Sequence, residues 1–559
     1  MTLRTNARIG SLGFCLFLLA LAPAYAQQPR AALSGQVSFA AEGALEGVLV
    51  SARRDGSTIT TTVVSDAKGH YSFPADRLQP GHYAVTIRAA GYDLQGPKAA
   101  DVVAGKDTTA DLTLTKTNSL GDQLSNAEWL SSFPLADEKK QFMIDCVGCH
   151  TLQRPADSTF NESQFRDILR QMATFSAESV PGNPQPLLPG PRIRAPTEKA
   201  LAAETPVLAQ FNLSKGSSHS YPLKTFPRPQ GRATHVIITQ YDLPRKTWQP
   251  HDVILGNDGN VWFSDFANDS GHQYVGEMDP KTGKVTQIEI PLMKKDGSPV
   301  GTLDIEPDPN GNIWLANMYQ GGIVQIDAKT HAVKTFKLPE QYQNTSTQES
   351  FVSPQHLNVD GYVWTNDQDK HTLIPLDVKT GQFGKMIKEV TPDGVAVPAY
   401  QIPTNLQNDV YLLNFGGTLV GLYDKDSGTV SSFKTPTPAS RPRRGEVDPQ
   451  NRLWFAEYKG NAIGMFDPKT KQIKEWAIPV PWAGPYDAVY AQKYDQAWAA
   501  SQLTDMVDCL DVKTGQFTDY LLPLHTNMRR VYIDQRGPRP VVWVGSNHDA
   551  SVIRIEPLD

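Results

Sequence analysis

The residues with the clearest chemistry are the two cysteines and the histidine of the motif Cys146-Val147-Gly148-Cys149-His150. Two thiols at this spacing can add across both vinyl groups of one haem, while the imidazole that follows reaches the iron. A dithiol redox pair would not account for His150. A zinc site would need a second Cys or His pair nearby, and the next cysteine is Cys509. The motif therefore predicts one covalent haem c, with Cys146 and Cys149 as its thioethers and His150 as the proximal iron ligand.

Helical periodicity surrounds this motif from about residue 120 to residue 213, in stretches that include Glu162–Phe175 and Glu198–Phe211. A small all-α domain around such a motif is typical of a c-type cytochrome. Met172 is the only methionine between the motif and residue 236, and we take it as the predicted distal iron ligand. The alternative is that Met172 packs in the apolar stripe of its helix, which leaves His219 as an outside candidate.

The first 26 residues have the pattern of a secretory signal. Arg4 and Arg8 give the positive start, Ser11–Ala22 the apolar core and Ala24-Tyr25-Ala26 the cleavage site. The apolar core is too short to span a bilayer comfortably, and no other run approaches that length. We therefore expect an exported protein, periplasmic or secreted, without a membrane span once the signal is removed.

Length and composition exclude several classes of protein. A chain of 559 residues is long enough for several domains, and 40% hydrophobic with 20% charged residues is typical of globular proteins. The formal net charge of −6 and the absence of a long basic run argue against nucleic acid as a partner. A redox protein, a small-molecule substrate or both are the expected partners. Cys509 lies in a strand-like run and is expected to be a small buried apolar residue.

Residues 31–117 alternate apolar and polar positions between Gly/Asp turns, which predicts a small antiparallel β-sandwich. The stretches Asp66–Phe73, Leu78–Tyr83 and Ala90–Tyr92 resemble the carboxypeptidase regulatory-like domain. The resemblance implies a prealbumin-type sandwich and no peptidase activity, since a zinc-binding His/Glu pair is missing from the segment. We expect a stabilising or docking module. Residues 214–235, rich in Ser, Pro and Gly, are predicted to be a linker.

From residue 236 to residue 559 the sequence repeats, with one aromatic anchor every 43 to 52 residues or so. The anchors are Trp262, Trp314, Trp364, Tyr411, Trp454, Trp498 and Trp543. Seven anchors predict seven four-stranded blades. The last unit stops before its fourth strand, and Val236–Pro244 has the pattern of that strand. We therefore predict that this run closes the ring by pairing into the last blade.

The predicted fold is multidomain and mainly β, with a small β-sandwich, an intervening all-α cytochrome c-like domain and a seven-bladed β-propeller. Within the repeats, Gly259–Asp265, Arg452–Glu457 and Gly460–Gly464 are similar to the streptogramin (virginiamycin B) lyase family. That resemblance implies a propeller fold and, in the lyases, a histidine base with carboxylates that hold Mg²⁺.

The lyase residues are incomplete in this sequence. His251 and Asp265 keep the expected spacing, so that His251 is the candidate base, but Gln249 replaces a glutamate. A neutral amide is a poorer Mg²⁺ ligand than a carboxylate. At Glu457 the carboxylate is present, but Arg443 stands where the histidine belongs.

The starts of the inner strands are polar and should face the central channel. The candidates are Asp252, Asp304, His356, Arg443, Arg444, Asp487, Arg529 and Arg530. The three aspartates are candidates for holding Ca²⁺ or Mg²⁺, and the arginine pairs for binding a carboxylate or phosphate. The alternative is that these charges neutralise one another.

Three functions remain open at this stage. The first is an exported redox protein whose propeller binds a substrate or partner while the haem transfers single electrons. The second is a Mg²⁺-dependent lyase that uses His251 as its base. The third is a docking protein without enzymatic activity, in which sandwich and propeller are adaptors for the haem domain. Catalysis beyond electron transfer is undecided by the sequence, and the incomplete lyase residues argue against the second function.

Overall fold

The computed structural model of this chain describes residues 1–2, 31–175, 179–187, 195–266, 271–343 and 349–559. The predicted export signal lies almost entirely outside these residues. In the described ranges, no helix is both long and apolar enough to cross a membrane. The described chain is a mainly β, multidomain protein.

Residues 31–116 form two packed sheets. The first contains Gly43–Ala44, Ala31–Phe39, Leu112–Lys116 and Tyr92–Gly96, with His70–Pro74 and Thr108–Thr109 paired to the long strand. The second contains Ile59–Val64, Leu49–Arg54, Gly81–Arg88 and Ala99–Val102. Alternate residues of these strands point inward, as the period of a strand requires, and Leu33, Val50 and Phe73 are fully buried between the sheets.

The segment between the β domains is helical. Its α-helices are Asn126–Ser132, Asp137–Lys140, Gln153–Ala156, Glu162–Met172 and Glu198–Phe211, and its 3₁₀ helices are Leu120–Gln123, Gln141–Gly148 and Leu213–Lys215. Ser125 and Asn161 cap two of the helices with reciprocal side-chain bonds.

The α-helix Asp137–Lys140 continues directly into the 3₁₀ helix Gln141–Gly148, which carries the first three residues of the cysteine motif. The carbonyls of Ile144, Val147 and Gly148 accept hydrogen bonds from side chains of the propeller, described below, so this 3₁₀ segment is also held from outside the helix.

Seven sheets follow in the described part of the chain, matching the seven predicted blades. Blade 1 contains Val253–Leu255, Val261–Ser264, Tyr274–Met278 and Val285–Glu289. Blade 2 contains Ile305–Pro307, Ile313–Asn317, Gly322–Ile326 and Val333–Lys337. Blade 3 contains Glu349–Ser353, Tyr362–Asp367, Thr372–Asp377, Gln382–Phe383 and Ile387–Lys388. Blade 4 is Val410–Leu413, Leu419–Asp424 and Thr429–Lys434, with Gln401 and Thr404 bridged to its first strand.

Blades 5 and 6 are Pro442–Val447, Leu453–Glu457, Ala462–Asp467 and Gln472–Ala477; and Pro485–Ala491, Gln496–Ser501, Met506–Asp511 and Gln516–Leu521. Blade 7 is Val531–Asp534, Val541–Ser546, Ser551–Pro557 and Val236–Asp242. The anchor tryptophans are buried, and the indole N–H of Trp454 donates to Asp448 of the preceding turn at 2.9 Å. The indole N–H of Trp314 makes the equivalent bond to Asp308 at 2.9 Å, so these two rings are fixed in their blade cores by the turn that precedes them.

The predicted closure of the ring is confirmed. Val236–Asp242 pairs antiparallel with Ser551–Pro557 along its whole length, from Val236 opposite Pro557 to Asp242 opposite Ser551. The last blade is therefore completed by a strand that precedes the first blade in the chain, which leaves no open blade in the ring.

The closing strand is not an outer edge. Its other side pairs with Ile59–Val64 of the sandwich, so that blade 7 and the second sandwich sheet form one continuous eight-stranded sheet. Ile237 points into the sandwich core and Ile238 into the core shared by blades 6 and 7. Arg77 of the sandwich also makes two 2.9 Å bonds to Glu556. The two domains therefore share a sheet and a hydrophobic core.

All three parts of the chain meet at His525. Its Nδ1 lies 3.0 Å from Asp505 Oδ2 in the propeller, and its Nε2 lies 3.0 Å from the carbonyl oxygen of Asp122 in the helical segment. Asp505 also accepts a 2.6 Å bond from Arg88 of the sandwich. Both ring nitrogens face groups that only accept hydrogen bonds, so this geometry requires the imidazolium form.

We expect stability to depend on the protonation of His525. Burial lowers its pKa, but the hydrogen bond and charge of Asp505 outweigh burial, and the net pKa is raised above 6.5. Because 41% of the His525 side chain is exposed and solvent screens its charge, its contribution is about 0.5–1 kcal/mol. This contribution is complete below pH 6.5 and is lost as pH rises through the raised pKa. The difference in Tm between wild type and His525→Gln, measured from acid to alkaline pH, checks this expectation.

The matched control is His70→Gln, which changes an exposed histidine of the sandwich. A wild-type advantage over His525→Gln that stays constant across the pH range would contradict a charged His525 at the junction.

Candidate functional site at the propeller mouth

The cysteine motif lies directly on the mouth of the propeller. Three carbonyls in or just before the motif accept hydrogen bonds from propeller side chains: Ile144 from Tyr458 at 2.8 Å, Val147 from Asn527 at 2.7 Å and Gly148 from Arg529 at 3.1 Å. Asp145 forms a bidentate pair with Arg441 at 3.0 and 3.1 Å. The motif and the residues just before it are thus held by side chains of blades 5 and 7, on the side where the inner strands begin.

His150 is positioned as a neutral imidazole. Its Nδ1 lies 2.9 Å from the carbonyl oxygen of Thr151, and because a carbonyl only accepts, Nδ1 carries the hydrogen and Nε2 the lone pair. Burial lowers the pKa of His150, which favours the same neutral form. This is the tautomer in which histidine binds a metal through Nε2.

A cavity of about 370 Å³ separates the motif from the central channel. Gly148 and Cys149 form one wall. The opposite wall is built by propeller residues, among them Phe266, Leu303, Met318, Tyr400, Phe415, Arg443, Tyr458, Gln502 and Arg529. A pocket of this size, apolar with a few polar groups, suits a small organic molecule.

The residues just before each inner strand form two layers below this cavity. We name the layer next to the cavity the upper ring: His251, Leu303, Tyr400, Arg443, Tyr486 and Arg529. The residues one position later form the lower ring: Asp252, Asp304, Phe351, Gln401, Arg444, Asp487 and Arg530. All members of both rings are buried except Tyr400, which is half-buried against the cavity.

The predicted channel residue His356 is not in either ring. The inner strand of blade 3 is Glu349–Ser353, which ends before His356 and brings Phe351 into the lower ring. His356 instead lies at the start of a four-residue helix, where its Nδ1 is 2.9 Å from Thr404 Oγ1. Burial lowers the pKa of His356.

The lower ring is held by its own arginines. Arg444 donates to both oxygens of Asp252, at 2.6 and 2.8 Å, and to Asp304 at 2.8 Å. Arg530 lies 2.7 Å from Glu306 and 3.1 Å from Glu446, deeper in the channel. The alternative reading of these charges, mutual neutralisation, therefore accounts for the observed pairs.

The pairing is uneven, because carboxyl groups outnumber guanidinium groups among the described residues of this cluster. Burial alone would raise the pKa of Asp252, but Arg444 and His251 hold it well below its usual value. Burial and the charge of Glu306 raise the pKa of Asp304, and burial raises that of Asp487 to about 6. Asp252 is therefore held in its ionised form, whereas the raised pKa of Asp304 favours its protonated form.

No cation site is apparent in this cluster. Within the described ranges, no group of three or more His, Cys, Asp or Glu side chains is arranged to hold a metal ion. Asp252 and Asp304, two of the three aspartates proposed as ligands, instead bracket the guanidinium group of Arg444. Ca²⁺ or Mg²⁺ in the channel stays a prediction that this geometry does not favour.

His251, the candidate base, is fully buried in the upper ring. Its Nδ1 lies 2.6 Å from Asp252 Oδ1 and its Nε2 3.1 Å from the hydroxyl of Tyr486. Tyr486 in turn shares a hydrogen bond with Tyr400, which lines the cavity. His251 is therefore connected to the cavity by hydrogen bonds through the side-chain hydroxyl groups of Tyr486 and Tyr400.

Two residues, Asp265 and Glu457, occupy the positions of the carboxylates in the lyase motif. Asp265 accepts from the backbone N–H of Gln249 at 3.0 Å and pairs with Arg245 at 2.9 Å. Burial, together with repulsion by Glu475, raises the pKa of Glu457 to about 9, so that this group is a neutral acid at pH 7. A protonated acid is a poor Mg²⁺ ligand.

The other predicted residues lie outside the cavity. Met172 is at the end of its helix with 42% of its surface exposed, which differs from the packed position in an apolar stripe. His219 packs on Trp129 and lies 3.3 Å from the carbonyl oxygen of Ala156. Cys509 is buried in the core of blades 6 and 7, as expected for an apolar residue.

Sequence reasoning missed Tyr400, Tyr458 and Tyr486. Tyr458 and Tyr486, with Tyr400 and Phe415, surround the guanidinium group of Arg443, whose carbon lies 3.5 Å from the Tyr486 ring centre and 4.6 Å from that of Tyr458. A signal for Tyr486 existed, because Tyr486-Asp487 occupies the place of His251-Asp252 two blades away along the ring.

Comparisons with known proteins agree with this fold. Residues 32–115 match the carboxypeptidase regulatory-like domain, and residues 234–509 match the virginiamycin B lyase family. The chain therefore contains a carboxypeptidase regulatory-like domain and a virginiamycin B lyase-like β-propeller. The comparison with curated proteins gives no match.

Several solved structures are similar to the propeller part of the chain. Virginiamycin B lyase from Staphylococcus aureus is 18% identical with a TM-score of 0.48, over 57% of this chain and 99% of that chain. A streptogramin B lyase is 18% identical with a TM-score of 0.49, over 58% and 99%. YCF48 from Cyanidioschyzon merolae is 11% identical with a TM-score of 0.44, over 57% and 99%.

Proposed function

We propose that this chain is an exported c-type cytochrome in which Cys146 and Cys149 carry one haem c and the propeller mouth binds a substrate or redox partner. The observation that carries the proposal is the position of the motif, since Cys149 forms part of a cavity whose other wall is the propeller mouth. A molecule bound there would lie against both the haem attachment site and the upper ring.

The donor set fits the group. The motif offers two thiols at the haem spacing, and the Nδ1 bond of His150 leaves Nε2 as the ligand atom. Bound haem would supply reversible one-electron chemistry. The chain's own residues fix the motif through its carbonyls and favour the neutral form of His150. Met172 stays the predicted distal ligand, a role for which its exposed position offers no support.

The test is haem staining of the exported protein after a denaturing gel, with a reduced-minus-oxidised visible spectrum. We expect a covalent haem band in wild type and its complete loss in the double variant Cys146→Ala/Cys149→Ala, because both thioether bonds are then absent. His150→Ala should alter the spectrum, since it removes the proximal ligand. The matched control is Cys509→Ala, which removes a thiol outside the motif and should keep the band.

The result that would overturn the proposal is a wild-type protein, exported with its signal removed, that retains no haem after denaturation. A band that persists in the double cysteine variant would show attachment elsewhere and would also contradict it.

A Mg²⁺-dependent lyase is the second candidate, favoured by the family match over residues 234–509. The two functions differ in what they require. A lyase would lose turnover when Mg²⁺ is chelated or His251 is replaced by Ala, whereas haem reduction would survive both changes. This function is the weaker candidate for two reasons. His251 is buried, with both ring nitrogens engaged by Asp252 and Tyr486, and Gln249 replaces a glutamate of the lyase motif.

The contacts of the sandwich with the propeller indicate that the sandwich stabilises the protein and is not a separate adaptor. It shares a continuous sheet with blade 7 and a core residue, Ile237, with the closing strand. A module tied this firmly cannot move independently of the propeller. We therefore infer that the sandwich stabilises the last blade, while substrate or partner binding belongs to the mouth.

A further inference from the structure

A continuous chain of hydrogen-bonding side chains leads from the cavity into the propeller. Tyr400 lines the cavity and its hydroxyl is hydrogen-bonded to that of Tyr486. The Tyr486 hydroxyl lies 3.1 Å from His251 Nε2, and His251 Nδ1 lies 2.6 Å from Asp252 Oδ1. We name these four side chains the relay.

In the neutral, proton-accepting form of His251, the direction of every hydrogen bond in the relay follows from its buried end. Asp252 is a carboxylate whose oxygens accept from Arg444, so Nδ1 of neutral His251 donates to it and Nε2 carries the lone pair and accepts. Tyr486 therefore gives its one hydroxyl hydrogen to Nε2.

With the Tyr486 hydrogen assigned, Tyr400 must donate to Tyr486. A molecule in the cavity that reaches the Tyr400 oxygen then meets it as a hydrogen-bond acceptor. The relay is ordered to receive a proton from the cavity, and each of its members can pass one on.

The surroundings favour an anion in the same cavity. The guanidinium carbons of Arg443 and Arg529 lie 3.5 and 5.0 Å from the Tyr486 ring centre, and both residues line the cavity. The cavity wall also contains the carboxylate of Asp145, but this group is paired with Arg441. The guanidinium groups of Arg443 and Arg529 therefore lower the free energy of a negative charge formed in the cavity. Phe266, Leu303 and Phe415 give the pocket apolar and aromatic surface for the rest of the molecule.

We propose that the cavity binds a small molecule with an acidic hydroxyl, of the phenol or enol class, and that the relay takes its proton. The ligand O–H bond breaks, and its electron pair stays on the ligand oxygen as the anion. The proton goes to Tyr400 as the Tyr400 proton passes to Tyr486 and the Tyr486 proton to His251 Nε2. The resulting imidazolium of His251 is paired with Asp252.

This inference deepens the proposed function and rests on it in taking the cavity as the substrate site. Loss of the proton also makes a phenol or enol a better one-electron donor, which is the kind of molecule a haem-bearing protein would oxidise. The proton step itself needs only the residues of the relay.

The test uses 4-fluorophenol with the full-length protein, because the ¹⁹F shift of the bound molecule reports its ionisation. We expect the pKa of bound 4-fluorophenol to fall by at least one unit below that of the free phenol, a tenfold change in its ionisation constant. In each of the variants Tyr400→Phe, Tyr486→Phe and His251→Gln, we expect the pKa of bound 4-fluorophenol to rise most of the way back to that of the free phenol. Tyr411→Phe is the matched control, because it removes a buried propeller hydroxyl outside the relay and should keep the full shift.

Binding with an unshifted pKa, or no binding at all, would overturn the inference. A shift that survives in Tyr400→Phe and Tyr486→Phe would also overturn it, provided that both variants keep the wild-type circular dichroism spectrum. If the pKa of bound 4-fluorophenol is not shifted, the relay is wrong, but the haem stain is unaffected. If the protein carries no haem but still ionises the phenol, the relay is retained and the proposed electron transfer is wrong. The two proposals can therefore fail separately.

Discussion

Replacing Arg444 by Met is expected to destabilise the protein by about 3–5 kcal/mol at pH 7. The change leaves Asp252 and Asp304 buried without the guanidinium group that holds both of them, at 2.6–2.8 Å. Arg530 is 3.5 Å from Asp252 and already engages Glu306, so it replaces little of the lost interaction. The fall in Tm, or in the denaturant midpoint, measures the effect.

Two variants make the Arg444 result specific. Adding Asp252→Asn to Arg444→Met should recover part of the loss, because it removes the uncompensated buried charge. Arg536→Met breaks an exposed pair with Asp534 and should cost no more than about 1 kcal/mol. Equal losses for Arg444→Met and Arg536→Met would mean that the lower ring is not held together by its ion pairs.

Shortening either of two neighbouring isoleucine side chains in the closing strand, Val236–Asp242, is expected to destabilise both the sandwich and the propeller. Ile237→Ala and Ile238→Ala should each cost about 2–5 kcal/mol, the usual range for an isoleucine removed from a packed core. Ile237 is lost from the sandwich core and Ile238 from the core of blades 6 and 7. Because the strand is shared, we expect either variant to lower the unfolding temperature of sandwich and propeller together, as measured by calorimetry.

The controls for these truncations are Val103→Ala in the sandwich and Val359→Ala in the propeller, both at exposed sites and both expected to stay within about 0.5 kcal/mol of wild type. Separate calorimetric transitions, with Ile237→Ala shifting only the first and Ile238→Ala only the second, would contradict a coupled sheet.

The propeller could be predicted because its signals are local and repeated. Each aromatic anchor lies next to its own turn and strand, and the seven anchors define the blade number without knowledge of distant contacts. The same pattern identified Val236–Pro244 as a missing fourth strand. Blade 3 is the exception, since its inner strand lies further from Trp364 than in the other blades, and His356 was placed in the channel for that reason.

The candidate site was predicted only in part, because it is assembled from residues that are far apart in the chain. The motif at Cys146 and the charged strand starts were visible separately, but nothing local indicates that Gly148 would meet Arg529. Tyr400 and Tyr486 look like ordinary core aromatics in sequence, and their role depends on which hydroxyl faces which. Ion pairing within the lower ring is equally non-local, so the aspartates there could be taken for metal ligands.

The order in which this chain can fold follows from its closing strand. Val236–Asp242 is synthesised early and finds its sandwich partner, Ile59–Val64, soon afterwards, but its other partner is the final strand, Ser551–Pro557. Until that strand arrives, one row of backbone amides and carbonyls stays open to solvent. A contact this distant in sequence is slow to form, and an unpaired edge is prone to join another chain. The slow and aggregation-sensitive step of folding is therefore expected to be the last one, the joining of the two ends of the ring.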